Sequence, residues 1–127
     1  GRRDGAYFTP TLIDAIPKTA DVARDLEIFG PVVSVIGFDT LDEAIEIANA
    51  SKFGLAGCIF SADMKTAMKT AAALECGSVV INGASFYRSF EMPFGGYKYS
   101  GLGTEGVLST FAEVTRLKTV VLKNVLA

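Results

Sequence analysis

Glu27 and Phe29 lie two residues apart in Leu26-Glu27-Ile28-Phe29-Gly30-Pro31-Val32-Val33, a carboxylate and an aromatic ring set just before the chain enters a Val-rich run. The carboxylate can accept hydrogen bonds from a polar ligand, and the ring can pack beside one. Read blandly, the same pair is a solvated acid ending a short helix and a core phenyl ring. Other chemistry is scarce. The chain has no His, so it can build neither a Cys-His nucleophile pair nor an imidazole zinc site. Cys58 and Cys76 are the only cysteines. Each sits in an apolar setting and reads as a small buried core residue; two thiols make neither a structural zinc site nor a disulfide framework. No metal site is expected.

Two further stretches draw attention. From Gly83 to Ser100 periodicity disappears, and Phe86, Tyr87, Arg88, Phe90, Phe94 and Tyr97 crowd into one irregular segment. Aromatic residues in a long loop are costly to leave in water, so they are expected to line something. Gly101-Leu102-Gly103-Thr104-Glu105-Gly106 satisfies the G-x-G-x-x-G spelling of a dinucleotide site. It follows a loop rather than a hydrophobic strand, and about twenty residues on, where a ribose-binding acid belongs, stand Val121, Leu122 and Lys123. The run is read instead as a tight turn into a helix covering Val107, Leu108, Phe111 and Val114.

The elements that must position these residues follow from the hydrophobic pattern. Tyr7 to Asp14 suits an edge strand interrupted by Pro10. A short helix is expected from Asp21 to about Glu27, stopped by Gly30-Pro31, and Val32 to Phe38 is apolar enough for a buried strand. Thr40-Leu41-Asp42-Glu43 has capping-box spacing and opens a helix to about Asn49 with Leu41, Ala44, Ile45 and Ala48 on one face. Phe53 to Phe60 returns as a strand. Ser61 or Asp63 then caps a helix whose core face is Met64, Ala67, Met68 and Ala71, ended by Gly77, and Ser78 to Asn82 is a third strand. Strand and helix alternating through short links predict an α/β fold, a parallel open sheet with flanking helices, followed by a β-prone C-terminal strand over Leu117 to Leu122.

With 127 residues the chain is one domain at most, and half of its residues are hydrophobic. The mean hydropathy of +0.36 is high for a free-standing domain, so some apolar surface is expected to face a partner. A net charge of −2 gives no basic stripe for nucleic acid or an anionic membrane. No apolar run reaches the roughly 20 residues of a membrane helix, and the N-terminus leads into no signal-peptide core. A soluble, cytoplasmic chain is the expectation.

Several collinear motifs carry a resemblance. Glu27-Ile28-Phe29-Gly30-Pro31-Val32, Asn49 with Phe53-Gly54-Leu55-Ala56, Gly77 with Val80-Ile81-Asn82, Pro93-Phe94-Gly95-Gly96-Tyr97-Lys98 with Ser100-Gly101 and Gly103, Glu105-Gly106, and Thr115 with Lys118-Thr119-Val120 run nearly end to end. In order and spacing they resemble the carboxyl-terminal part of the NAD(P)-dependent aldehyde dehydrogenases, and the flanking pattern is similar to the lactaldehyde and succinate-semialdehyde branch.

The resemblance implies a piece of an enzyme that attacks an aldehyde with a cysteine thiolate, passes hydride to NAD or NADP, and hydrolyses the thioester with water activated by a glutamate. Both of those residues lie upstream of the matched portion, so this chain is expected to hold no catalytic residue. Glu27, Phe29 and, more weakly, Leu55 are implied as cofactor contacts. Phe86, Arg88 and Phe94 are implied as lining for a small-molecule aldehyde. Arg88 stands where many members with apolar substrates place an aromatic, which points to an aldehyde carrying an anionic or polar group; pairing with Glu91 or another surface acid is the alternative. Residues 1–116 would belong to the catalytic domain and 117–127 to a strand and tail that join subunits of a homo-oligomer. A free-standing, non-catalytic binding or assembly module with the same fold is the rival reading.

Overall fold

The computed structural model describes residues 1–125. Its strands form four two-stranded ladders among the described residues. β1 (Arg3–Asp4) and β2 (Tyr7–Phe8) make an antiparallel hairpin; β3 (Thr11–Ile13) pairs in parallel with β4 (Val32–Ser34), Leu12 opposite Val33. Pro10 falls between β2 and β3, where no ladder bond is asked of it. After α1 (Leu41–Asn49), β5 (Phe53–Gly54) turns into β6 (Ala56–Ile59). α2 (Met64–Ala73) then leads to β7 (Ser78–Ile81), which runs parallel to β6 with Cys58 opposite Val80. β8 (Tyr97–Lys98) returns antiparallel to β5, and α3 (Val107–Val114) follows. The fold is α/β, and β6-α2-β7 is the expected parallel crossover unit.

Helix starts follow their caps. Thr40 Oγ1 accepts from the Glu43 N–H at 3.2 Å, while Glu43 Oε2 accepts from the Asp39 N–H at 2.6 Å, one residue before the usual capping-box return. α1 ends at Asn49 as its spacing predicts; Leu41, Ala44 and Ile45 are half-buried, whereas Ala48 is exposed. Asp63 caps α2 by accepting from the N–H groups of Lys65 and Thr66 at 3.2 and 3.1 Å. The buried face of α2 differs from the one expected. Ala67 and Thr70 are buried and Ala71 and Leu74 half-buried, while Met64 and Met68 are exposed. That face also has helical i, i+3, i+4, i+7 spacing, and its small side chains suit the close approach of α2 to β6 and β7. The Thr70 hydroxyl donates back to the Thr66 carbonyl at 2.8 Å, so its burial leaves no donor unpaired.

Other expectations are corrected. The helix over Asp21 to Glu27 is only a 3-10 turn, Asp21–Ala23, because Arg24 leaves helical geometry at φ −118°, ψ −100°. β4 ends at Ser34, its partner strand being only three residues long. α2 stops at Ala73, well before Gly77: Leu74 is already extended, and the Glu75 N–H is taken by Asn49 Oδ1 at 2.9 Å. Gly77 serves a different need, since a Cβ there would run into the Gly95 carbonyl. Neither cysteine is buried: Cys58 is exposed and Cys76 half-buried. Burial pushes the Cys76 thiol up, and it donates to the Ser78 carbonyl at 3.2 Å.

The G-x-G-x-x-G run is a turn, with Gly101, Gly103 and Gly106 at φ +135°, +78° and +144°, values that L side chains rarely adopt. Val107, Leu108, Phe111 and Val114 do lie on the helix that follows, but all four are exposed. Leu117 to Leu122 form no ladder among the described residues, and Leu117, Val120, Val121 and Leu122 are exposed. A strand requires a partner edge, and none pairs with them among the described residues. Leu126 and Ala127, the end of the expected tail, lie outside the described residues.

Among the described hydrophobic residues only Ile16 and Ala67 are buried, and the chain exposes 10469 Å². A folded monomer of 13.4 kDa exposes about 6,500 Å². None of the described helices is long and apolar enough to cross a membrane.

Candidate functional site

A cleft of about 520 Å³ opens between the loop preceding β4, the C-terminal end of α1, β5-β6 and the turn from α2 to β7. Glu27 and Leu55 both line it, with Asp25 and Ser51 beside them. Two of the three residues expected to meet the cofactor therefore line one cleft, although 28 positions separate them in sequence. Phe29 does not line the cleft and is 93% exposed, its ring turned away from this chain's own packing. The bland reading of Phe29 as a core ring fails on that exposure.

The walls are held by polar fasteners. Lys98 Nζ donates to the carbonyls of Asn49 at 2.7 Å and Ser51 at 3.0 Å and pairs with Glu75 Oε2 at 2.7 Å. Asn49 Nδ2 donates to the Ala73 carbonyl at 2.8 Å, and Ser100 Oγ accepts from the Gly54 N–H at 2.9 Å. Asp25 Oδ1 accepts from Ser51 Oγ at 2.7 Å and from the Lys52 N–H at 3.1 Å. The Ser51 hydroxyl lowers the Asp25 carboxyl below its ordinary range, against a smaller opposing effect of burial and with further help from the Lys52 N–H. Asn49, Lys98 and Ser100 were legible as motif residues; Asp25 and Ser51 were not, since no spacing rule connects them.

A second cleft, about 310 Å³, lies between residues 88–92 and 105–107 and is lined by Arg88, Met92 and Glu105 among others. The Arg88 guanidinium carbon stands 3.5 Å from the centre of the Phe94 ring, a cation-π contact. Phe94 is in turn fixed by backbone bonds with Glu105, 2.8 Å from its N–H and 2.6 Å to its carbonyl. Among the described residues Arg88 forms no ion pair, so the pairing with Glu91 does not occur here. Phe86 lines neither cleft and is 85% exposed. No group of three or more His, Cys, Asp or Glu side chains among the described residues is placed to hold a metal ion.

This α/β unit presents a cleft lined by three carboxylates, Asp25, Glu27 and Glu75, by apolar Leu26, Phe53, Leu55 and Leu74, and by Cys58 and Cys76, an arrangement that can contact a polar ligand with an apolar part. The aldehyde dehydrogenase family model matches residues 1–120, and the chain belongs to that family. It is 40% identical over 122 residues to the 3-sulfolactaldehyde dehydrogenase of Priestia aryabhattai, covering 96% of this chain and 25% of the relative. Among solved structures, the NAD-dependent aldehyde dehydrogenase of Sinorhizobium meliloti superposes with a TM-score of 0.83 at 40% identity, over 91% of this chain and 23% of that one. The glyceraldehyde-3-phosphate dehydrogenase GapN of Methanocaldococcus jannaschii, complexed with NADP, gives 0.84 at 39% identity, over 94% and 25%. The chain thus spans about a quarter of the length of the proteins it matches.

Proposed function

We propose that this chain is the carboxyl-terminal quarter of an NAD(P)-dependent aldehyde dehydrogenase, supplying cofactor and substrate contacts while the catalytic cysteine and the general-base glutamate come from the preceding part of the protein. The observation that carries the reading is the exposed area. The 10469 Å² exceeds what a compact monomer of this mass shows by about 4,000 Å². The excess includes the apolar residues of α3, the Leu117 to Leu122 stretch and Phe29. A surface of that size is of the kind covered by the rest of a larger domain and by neighbouring subunits. A free-standing module would leave it uncovered.

The donor set of the large cleft fits the nicotinamide end of the cofactor, which when bound would supply the hydride acceptor. The Glu27 carboxylate can accept from both hydroxyls of a ribose. Leu55 offers an apolar wall for a ring, and Phe29, open to solvent within this chain, is available to pack beside a group contributed from outside it. Burial pushes the Cys76 thiol up, away from the thiolate form, and neither Cys76 nor Cys58 is the nucleophile in this reading.

Arg88, Phe86 and Phe94 line the aldehyde's path in this reading, and the aldehyde carries an anionic or strongly polar group. The support is that Arg88 is stacked on Phe94 with no carboxylate answering its charge among the described residues. The relative named for 3-sulfolactaldehyde and the neighbour named for glyceraldehyde 3-phosphate both carry substrates with a fixed anion in their names. Leu117 to Leu122 completes a sheet of a neighbouring subunit, making a cytoplasmic homo-oligomer. The test is activity by parts: the isolated chain should give no NAD(P)H from any aldehyde, and the full-length enzyme should. Turnover by the isolated chain, lost on replacing Cys58 or Cys76, refutes the reading.

A further inference from the structure

Glu27 belongs to a segment with little holding it. From Arg24 to Gly30 the backbone bonds only within its own local turns among the described residues. The hydrogen bonds that reach farther along the chain are those accepted by the Asp25 carboxylate, from Ser51 Oγ at 2.7 Å and the Lys52 N–H at 3.1 Å. Ser51 Oγ also accepts from the Phe53 N–H at 3.1 Å, and the Tyr99 N–H donates to the Lys52 carbonyl at 3.0 Å, so the turn that Asp25 grips is itself tied to β5 and β8. Leu55 follows that turn after the two residues of β5. Asp25 is half-buried and lines the same cleft as Glu27 and Leu55.

We infer that Asp25 is a positioning residue: by latching onto the Ser51-Lys52 turn it fixes Glu27 relative to Leu55 across the cofactor cleft. The inference rests on the reading of Glu27 as a cofactor contact. A carboxylate is suited to the task, because one oxygen accepts from a hydroxyl and a backbone N–H together, and charged acceptors hold such donors more tightly than neutral ones. Lys52 and Lys98 add favourable charge around it. Among the described residues no other hydrogen bond ties the Arg24 to Gly30 segment to the wall carrying Leu55, and small misplacements at a contact of this kind are costly to rate.

The test uses the full-length enzyme. Asp25→Ala is expected to slow single-turnover hydride transfer about tenfold and leave the aldehyde KM unchanged. It should also speed amide hydrogen exchange across residues 24–30. Asp25→Asn, still able to accept from Ser51 and Lys52, should retain most of the rate and the protection. Ser51→Ala should show a smaller loss of both, and adding it to Asp25→Ala should cost less than its loss in wild type, since the Ser51 to Asp25 bond is already gone and only the acceptor of the Phe53 N–H is newly lost. If Asp25→Ala does not fold, Ser51→Ala and Asp25→Asn carry the comparison. Glu27→Gln is measured alongside. A slowed Glu27→Gln with normal rate and normal exchange in Asp25→Ala overturns the latch alone. Fast exchange with an unchanged rate in Asp25→Ala overturns the positioning role. A silent Glu27→Gln overturns the cofactor-contact reading and the positioning role with it, and the exchange data separate that failure from loss of the latch.

Discussion

Replacing Arg88 by Met in the full-length enzyme tests the substrate assignment through a difference rather than a single rate. In the structure the guanidinium stacks 3.5 Å from the centre of the Phe94 ring and forms no ion pair among the described residues. Two contributions are therefore at stake. The stacking on Phe94 helps hold the ring for any substrate; an exposed cation-π contact contributes about 0.5–1 kcal/mol, so its loss should lower kcat/KM roughly two- to fivefold for every aldehyde. A charged hydrogen bond to a substrate anion contributes about 1.5–3 kcal/mol, and its loss should lower kcat/KM by a further ten- to 150-fold for an anionic aldehyde only. The assay compares an anionic and a neutral aldehyde of similar length in wild type, Arg88→Met and Arg88→Lys. Lys keeps the charge without the planar donor fork, so Arg88→Lys should fall between the other two on the anionic substrate. Equal losses on both aldehydes in Arg88→Met would refute substrate recognition and leave Arg88 as the clamp on Phe94.

Glu27→Gln in the full-length enzyme should slow hydride transfer in single-turnover kinetics by weakening a charged hydrogen bond of about 1.5–3 kcal/mol; an unchanged rate counts against the cofactor contact. Deleting Leu117 to Ala127 should give smaller assemblies in sedimentation, and an unaltered oligomer would leave that segment to its own subunit. Asp63 provides a pH test. The Thr66 hydroxyl, then the N–H groups of Thr66 and Lys65, hold its carboxyl below the ordinary 3.8. A lowered folded-state pKa gives stability that is complete above 3.8 and fades as pH falls through the folded value. Asp63→Ala should therefore lower the urea midpoint at neutral pH, with the gap from wild type narrowing in acid below 3.8; a pH-independent gap would contradict the cap's titration.

The sequence by itself determined the features governed by nearby residues. Thr40 marked one helix start and Ser61 or Asp63 the other because a cap is a contact over three positions, and the tight turn at Gly101 to Gly106 was legible because only glycine adopts those φ values easily. Collinear motifs were enough to indicate the family, and the lack of His ruled imidazole out of this chain's own sites. The tertiary structure decided what depends on residues far apart in the chain. Which face of α2 is buried was ambiguous, because Met64-Ala67-Met68-Ala71 and Ala67-Thr70-Ala71-Leu74 have equally good helical spacing, and only docking on β6 and β7 chose the smaller side chains. The helix expected at Asp21 to Glu27 gave way to an irregular loop whose Asp25 is fastened to Ser51, a link across 26 positions that no local pattern signals. Arg88 had two readings with similar local support, and the structure stacks it on Phe94 without the ion pair to Glu91. Leu117 to Leu122 shows the limit from the other side: its β-prone residues are written in the sequence, yet a strand is a property of two edges, and no second edge pairs with it among the described residues.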